Sequence, residues 1–227
     1  MKAEGNSALS SAEFHIFGHR GLPHHIRENT ASSIEAALEA GADGCETDLR
    51  YLADGSLVLF HDDEREGRAV ETLSRAELGG IEGEITLLSE IRPLADRGLL
   101  ILEVKRRGDE AKLLEALSGW PRCVVSSFDH LLIRTLRELG APFELGAILS
   151  GRLTETSSYL ESLGASWFFP EHRLVDGPLV DECRNAGIRV VPWTTDRPER
   201  WELLRGLGCY GVITNVADEA VQWRRES

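Results

Sequence analysis

Residues 44–61 read GCETDLRYLADGSLVLFH, two strand-like runs joined by Ala53-Asp54-Gly55 with no helix between them. A tight turn of this kind returns the chain antiparallel to itself. Elsewhere the apolar runs are separated by segments of helical period. Candidate strands fall at 14–18, 44–50, 57–61, 99–104, 124–127, 145–149, 167–169, 189–192 and 211–213. Helical patterns occupy 29–40, 87–95, 110–117, 130–139, 156–163, 177–186, 199–207 and 217–224. Strand–helix alternation predicts parallel strands with crossover helices. Nine candidate strands are one too many for an eight-stranded barrel. The 53–55 turn removes the surplus by making 57–61 a return strand. The predicted fold is therefore α/β, a (β/α)8 TIM barrel with one extra antiparallel hairpin strand after the second barrel strand. An open doubly wound sheet would carry a Gly-rich phosphate loop after its first strand, where His19-Arg20-Gly21 stands instead.

The 227 residues suffice for one sizeable core. Residues 1–13, polar and rich in small side chains, read as a flexible N-terminal arm, and 14–227 as a single domain. Apolar (42%) and charged (28%) fractions are those of a soluble globular protein. Asp and Glu total 38 against 25 Lys and Arg, a net charge of -13. Such a surface repels phosphate backbones and anionic headgroups, so a small-molecule partner is expected rather than nucleic acid or stable membrane insertion. With no apolar leader and no 18-residue apolar stretch, the expected location is cytoplasmic. Cys45, Cys123, Cys183 and Cys209 stand singly and read as reduced, mostly buried thiols.

In such barrels the reactive groups sit at the C-terminal strand ends. The first strand ends at His19-Arg20, and the second offers Glu46 and Asp48, two positions apart and so on one face. The return strand ends at His61-Asp62, and the next barrel strand at Glu103 and Lys105. With Asp54-Gly55 as a two-residue turn, the ladder sets His61 opposite Asp48, their Cβ atoms about 5 Å apart. Glu46, Asp48 and Glu103 then converge and would repel one another without a cation, and oxygen donors suit Mg²⁺ or Ca²⁺. Arg20 and Lys105 supply fixed positive charge for a pentavalent phosphorane. His19 and His61, with ordinary values near 6.5, supply acid and base. Phosphodiester cleavage needs all of these parts. His15, His24, His25 and His130 read as structural, and Glu64, Glu66, Glu82 and Glu84 as solvated. His172 and Trp193 fit packing and a substrate wall alike.

The ordered set HRG (19–21), ENT (28–30), ExD (46–48), DG (54–55), HD (61–62), ExK (103–105), SSF (126–128), WT (193–194) and GVITN (211–215) resembles the glycerophosphodiester phosphodiesterases. The resemblance implies a barrel related to phosphatidylinositol-specific phospholipase C. It also implies hydrolysis of glycerophosphodiesters to an alcohol and sn-glycerol 3-phosphate. It places an acid/base pair at His19 and His61, divalent-metal ligands at Glu46, Asp48 and Glu103, and phosphate contacts at Arg20 and Lys105. Glu28 becomes a further polar residue of the site, with Trp193 beside the substrate. The chain departs from the pattern at Arg27, where relatives usually carry Pro, and at Thr195-Asp196 after WT. In 62–78 (DDEREGRAVETLSRAEL) a short acidic stretch replaces the usual Arg-Thr-Thr-like run and small lid, so an open mouth is expected. A lysophospholipase D on the same core, or a barrel that binds without turnover, are the rival expectations.

Overall fold

A computed structural model describes residues 13–227, so the expected arm lies outside the described residues except for Glu13. In chain order, β1 (His15–His19), α1 (Ala31–Ala40), β2 (Gly44–Tyr51) and β3 (Leu57–Leu59) lead into a small excursion. It consists of β4 (Glu64–Arg65), β5 (Arg68–Ala69) and α2 (Arg75–Glu82). From β6 (Leu99–Val104) the alternation is regular: α3 (Glu110–Ala116), β7 (Cys123–Ser127), α4 (His130–Glu138), β8 (Glu144–Leu149), α5 (Thr156–Leu163), β9 (Trp167–Pro170) and α6 (Gly177–Asn185). It finishes with β10 (Arg189–Val190), α7 (Pro198–Gly206), β11 (Gly211–Thr214) and α8 (Ala217–Glu226). The parallel strands run in the order β10-β9-β8-β7-β6-β2-β1-β11. Tyr210 N donates to Val190 O and Ile213 N to Pro192 O, both at 2.9 Å, joining the two edges of that sheet. The predicted barrel is what forms. The helix expected at 87–95 is instead a 3₁₀ helix, Leu88–Asp96, because Pro93 inside it lacks the N–H that an α-helix needs.

β2 explains the ninth strand. Its pairing with β1 ends at His19 opposite Glu46, yet it runs on to Tyr51, and the edge left free takes β3. The connecting turn holds three residues rather than two. Leu52 N donates to Ser56 O (2.9 Å) and Gly55 N to Leu52 O (2.8 Å). Gly55 takes a left-handed φ of 77°, which a residue without Cβ adopts at no steric cost. The extra residue moves the register by one from the expectation. Leu49 faces Leu59, and Phe60 N, not His61, bonds Asp48 O at 3.0 Å. A one-residue slip sends side chains to the opposite face, so His61 does not reach the site by the ladder route.

The acidic stretch 62–78 is likewise more ordered than a rim loop. Ser74 and Glu77 form a capping box at the start of α2. Val70, Leu73 and Leu78 join Leu52, Val58, Phe60 and Ile85 in an apolar cluster of their own. Two-residue strands and irregularly spaced apolar residues leave no period to read, which hid this packing.

Within the barrel, Phe17, Ile101, Val124, Ile148, Trp167, Phe169, Val191 and Ile213 fill the axis. Leu102, Val125, Leu132 and Leu204 are among those packed between strands and helices. The apolar filling stops at the C-terminal strand ends, where charged residues take over. Leu78 is fully buried in the excursion. Leu78→Ala is expected to cost about 2–5 kcal/mol, as for buried leucines elsewhere, read from the urea midpoint. An unchanged midpoint would mean that the excursion contributes no packing.

Candidate active site

Strand register delivers the carboxylates. His19 on β1 is level with Glu46 on β2, Asp48 with Glu103 on β6, and Glu103 with Ser126 on β7. Glu46, Asp48 and Glu103 are 4%, 1% and 9% exposed, and one oxygen from each lies within 4.8 Å of the others. Lys105 Nζ stands 2.7 Å from Asp48 Oδ1 and 2.5 Å from Glu103 Oε1. Arg20 reaches Asp48 Oδ2 through Nε (3.1 Å) and Glu28 Oε1 through Nη1 (2.8 Å). A cavity of about 290 Å³ opens above, lined by His19, Arg20, Glu46, His61, Glu103, Lys105 and Trp193 of the predicted residues. Asp48 sits behind this wall, and Glu28 lines a neighbouring cavity that shares His61.

Burial lifts Glu46 well above the ordinary Glu value, and the charges of Asp48 and Glu103 add to that. Burial also raises Glu103, against the opposing pull of Lys105. Asp48 goes the other way: burial pushes it up, but Lys105 and Arg20 together outweigh burial and leave it lowered. One carboxylate of the cluster is thus ionised between two cations while its neighbours resist ionisation.

Each histidine is held through Nδ1. His19 Nδ1 lies 2.7 Å from Asn215 Oδ1, while Asn215 Nδ2 donates to Asp196 Oδ2 at 2.8 Å. Asp196 also accepts from Asn215 N and Thr214 Oγ1, both at 2.8 Å. A carboxylate only accepts, so the amide nitrogen faces Asp196 and the amide oxygen faces His19. His19 therefore carries its proton on Nδ1 and keeps a lone pair on Nε2, 3.8 Å from Glu46 Oε2. Burial, with the Arg20 charge beside it, lowers the His19 pKa. His61 Nδ1 lies 2.7 Å from Asp62 Oδ1. That hydrogen bond, with help from Arg65, depresses Asp62 despite some burial, so a carboxylate accepts from the ring.

The β1–α1 turn is strained around the site. Arg20 and Asn29 both adopt left-handed φ (57° and 56°), at about 1–2 kcal/mol each. Arg20 N bonds Glu46 O (2.8 Å), and Asn29 N bonds Arg20 O (3.1 Å). Gly21, φ 95°, lies so close to α1 that a Cβ would stand 2.4 Å from Ser33 Oγ. Asn29 Nδ2 donates to Asp48 Oδ2 at 2.7 Å, and its Oδ1 accepts from Thr47 Oγ1 (2.7 Å) and Asp48 N (3.1 Å). Asn29, Asp196 and Asn215 went unassigned in the sequence. ENT and the terminal Asn of GVITN marked two of them, but only the folded chain shows whom they hold.

The remaining histidines follow their structural reading. His15 is buried beside Asp43 (3.4 Å), and His130 bonds Tyr159 Oη (2.8 Å) and Ile148 O (2.9 Å). His24 and His25 are exposed. His172 stands off the cavity, 3.9 Å from Glu171. Trp193 Nε1 donates to Phe169 O (2.8 Å), and its ring meets Phe128 edge-on at 5.6 Å, the two forming an apolar wall.

Comparison with known proteins places the chain in a family. The sequence matches the model of the glycerophosphoryl diester phosphodiesterase family over residues 19–78 and 96–219, which include every predicted site residue. A glycerophosphodiester phosphodiesterase of Caldanaerobacter subterraneus subsp. tengcongensis is 28% identical over 237 residues, covering 93% of this chain and 98% of that relative. The crystal structure of a Thermotoga maritima glycerophosphodiester phosphodiesterase superposes with a TM-score of 0.82 at 25% identity, over 92% of this chain and 98% of that one. An Oleispira antarctica phosphodiesterase, solved with the product sn-glycerol-3-phosphate, shares the fold (TM-score 0.83, 22% identity, 94% and 97% covered). With more than half its length matched and the barrel in common, the chain belongs to the glycerophosphoryl diester phosphodiesterase family of phosphoric diester hydrolases.

Proposed function

We propose that the chain hydrolyses glycerophosphodiesters to an alcohol and sn-glycerol 3-phosphate with the aid of a divalent cation. The observation that carries this reading is the pair of histidines, each oriented through Nδ1, that line one cavity with Glu46 and Glu103 of a buried three-carboxylate cluster. The named activity of the Caldanaerobacter relative supports it.

The donor set fits a hard cation. Glu46 Oε1 is buried without a hydrogen-bond partner among the described residues, beside two further carboxylates. A buried oxygen left unmatched in this way is costly unless a ligand satisfies it. Glu46, Asp48 and Glu103 would hold the ion, and all-oxygen donors favour Mg²⁺ or Ca²⁺. When bound it supplies Lewis-acid stabilisation to the phosphoryl oxygens.

The chain's own groups do the rest. Arg20 and Lys105 present fixed charge to the phosphoryl group as negative charge grows on it. His19, lowered and therefore neutral at pH 7, accepts the nucleophile's proton at Nε2. His61, bonded to ionised Asp62, delivers a proton to the departing alkoxide. Phe128 and Trp193 shield one side of the cavity from water. The same wall favours a second reading, a lysophospholipase D, because Phe128 is 47% exposed and free to meet an acyl chain. Four buried free cysteines suit a reducing compartment such as the cytoplasm, and no described helix is long and apolar enough to cross a membrane. A net charge of -13 disfavours nucleic acid as a partner.

Glycerophosphocholine is expected to release sn-glycerol 3-phosphate, with EDTA abolishing turnover and Mg²⁺ or Ca²⁺ restoring it. His19→Ala and His61→Ala should each lower kcat by about 10²–10⁴, and full turnover in both would sink the mechanism. Faster turnover of lysophosphatidylcholine than of glycerophosphocholine would select the second reading. The carboxylate cluster makes a separate prediction. Above the ordinary Glu value of 4.5, the folded metal-free chain keeps on Glu46 a proton that the unfolded chain releases. The contribution of Glu46 to stability is therefore expected to fall as pH rises from 4.5 toward the raised folded value. Glu46→Gln should flatten that slope in thermal melts taken in EDTA. Parallel slopes for variant and wild type would refute it.

A further inference from the structure

Arg50 is a charged side chain buried to 2% exposure that the proposed chemistry does not use. It lies on β2, two positions beyond Asp48, where β2 has left the barrel and pairs with β3. Its guanidinium donates to His61 O from both Nε (3.2 Å) and Nη2 (2.7 Å). The same group bonds Asp63 Oδ1 (2.6 Å) and Glu71. Arg50 thus clamps the backbone carbonyl of His61 and ties it to the 3₁₀ turn Val70–Thr72 of the excursion.

The hairpin register explains why such a clamp is required. β3 ends at Leu59, and Phe60 N to Asp48 O is the last rung. Carried one residue further, the ladder would set His61 opposite Thr47, on the face turned away from Asp48. His61 instead lines the cavity with Glu46 and Glu103, so the chain must leave the ladder between Phe60 and His61. Because Phe60 and Asp48 form a hydrogen-bonded pair, His61 falls at the next, non-hydrogen-bonded position, where its carbonyl turns away from β2, and the forked donors of Arg50 supply its partner. A planar guanidinium offers several N–H groups in fixed directions, which a lysine ammonium cannot reproduce.

We infer that Arg50 is the positioning residue that gives the His61 carbonyl the partner β2 does not offer and so holds His61 over the carboxylate cluster. The inference rests on the acid/base role proposed for His61. Arg50 touches no reacting atom and acts through His61 alone.

The test is a double-mutant cycle on the whole chain, with glycerophosphocholine as substrate and saturating Mg²⁺. Arg50→Lys and Arg50→Gln are made in the wild-type and His61→Ala backgrounds, with thermal melts to identify folded variants. If Arg50→Gln does not fold, Arg50→Lys, which keeps the charge near Asp63 and Glu71, carries the test. In the wild-type background kcat is expected to fall about 10²-fold with KM little changed, as for a catalytic group displaced by about an ångström. In the His61→Ala background the same substitution should cost nothing further. Equal losses in both backgrounds, or undiminished kcat in folded Arg50→Lys, would overturn the link between Arg50 and His61. Wild-type turnover by His61→Ala itself would overturn the acid/base reading and this inference with it, an outcome distinct from additive losses.

Discussion

Three carboxylates held within 4.8 Å of one another at the strand ends are the constraint around which the site is built. Two unit charges 4 Å apart repel by roughly 4 kcal/mol at the effective dielectric of a protein site. Left alone, Glu46, Asp48 and Glu103 would drive their strands apart or hold protons. Lys105 bridges Asp48 and Glu103, Arg20 approaches Asp48 from the other side, and Asn29 donates to the oxygen that Arg20 shares. The left-handed backbone at Arg20 and Asn29 is tolerated because it aims both side chains at that charge.

The two histidines reach this centre by different routes. His19 sits on a barrel strand, and closure of the barrel brings β11 beside β1, so Asn215 and Asp196 arrive as its support. His61 stands where a strand has just ended, and its position depends on irregular chain, on Asp62 and on the apolar cluster under the excursion. The same excursion shapes the neighbouring cavity, which Glu28 also lines and which shares His61 with the main cavity. Variation in this short segment can therefore alter both the neighbouring cavity and the placement of His61, while the carboxylates stay as they are.

The inward-facing carboxylates were legible because strand side chains alternate whatever the strand's neighbours are. Glu46 and Asp48 share a face for that reason alone, as do Glu103 and Lys105. The barrel itself followed from the strand–helix rhythm and from one helix-free connection at 53–55. Beyond these the sequence has no local signal. A three-residue turn and a two-residue turn look alike around Ala53-Asp54-Gly55, yet they set His61 on opposite faces. Reading the turn as two residues sets His61 opposite Asp48, whereas His61 lines the cavity only because the chain leaves the ladder after Phe60.

The sequence by itself thus determined the barrel, the extra hairpin and the identity of the carboxylate cluster, since each rests on periodicity over a few neighbouring residues. Only the tertiary structure decided how His61 enters the cavity, that Asn29 holds Asp48 while Asn215 and Asp196 hold His19, and that 62–78 packs as an ordered excursion. Those outcomes depend on hydrogen bonds between residues from eleven (Arg50 to His61) to 196 positions apart (His19 to Asn215), and no local period records them.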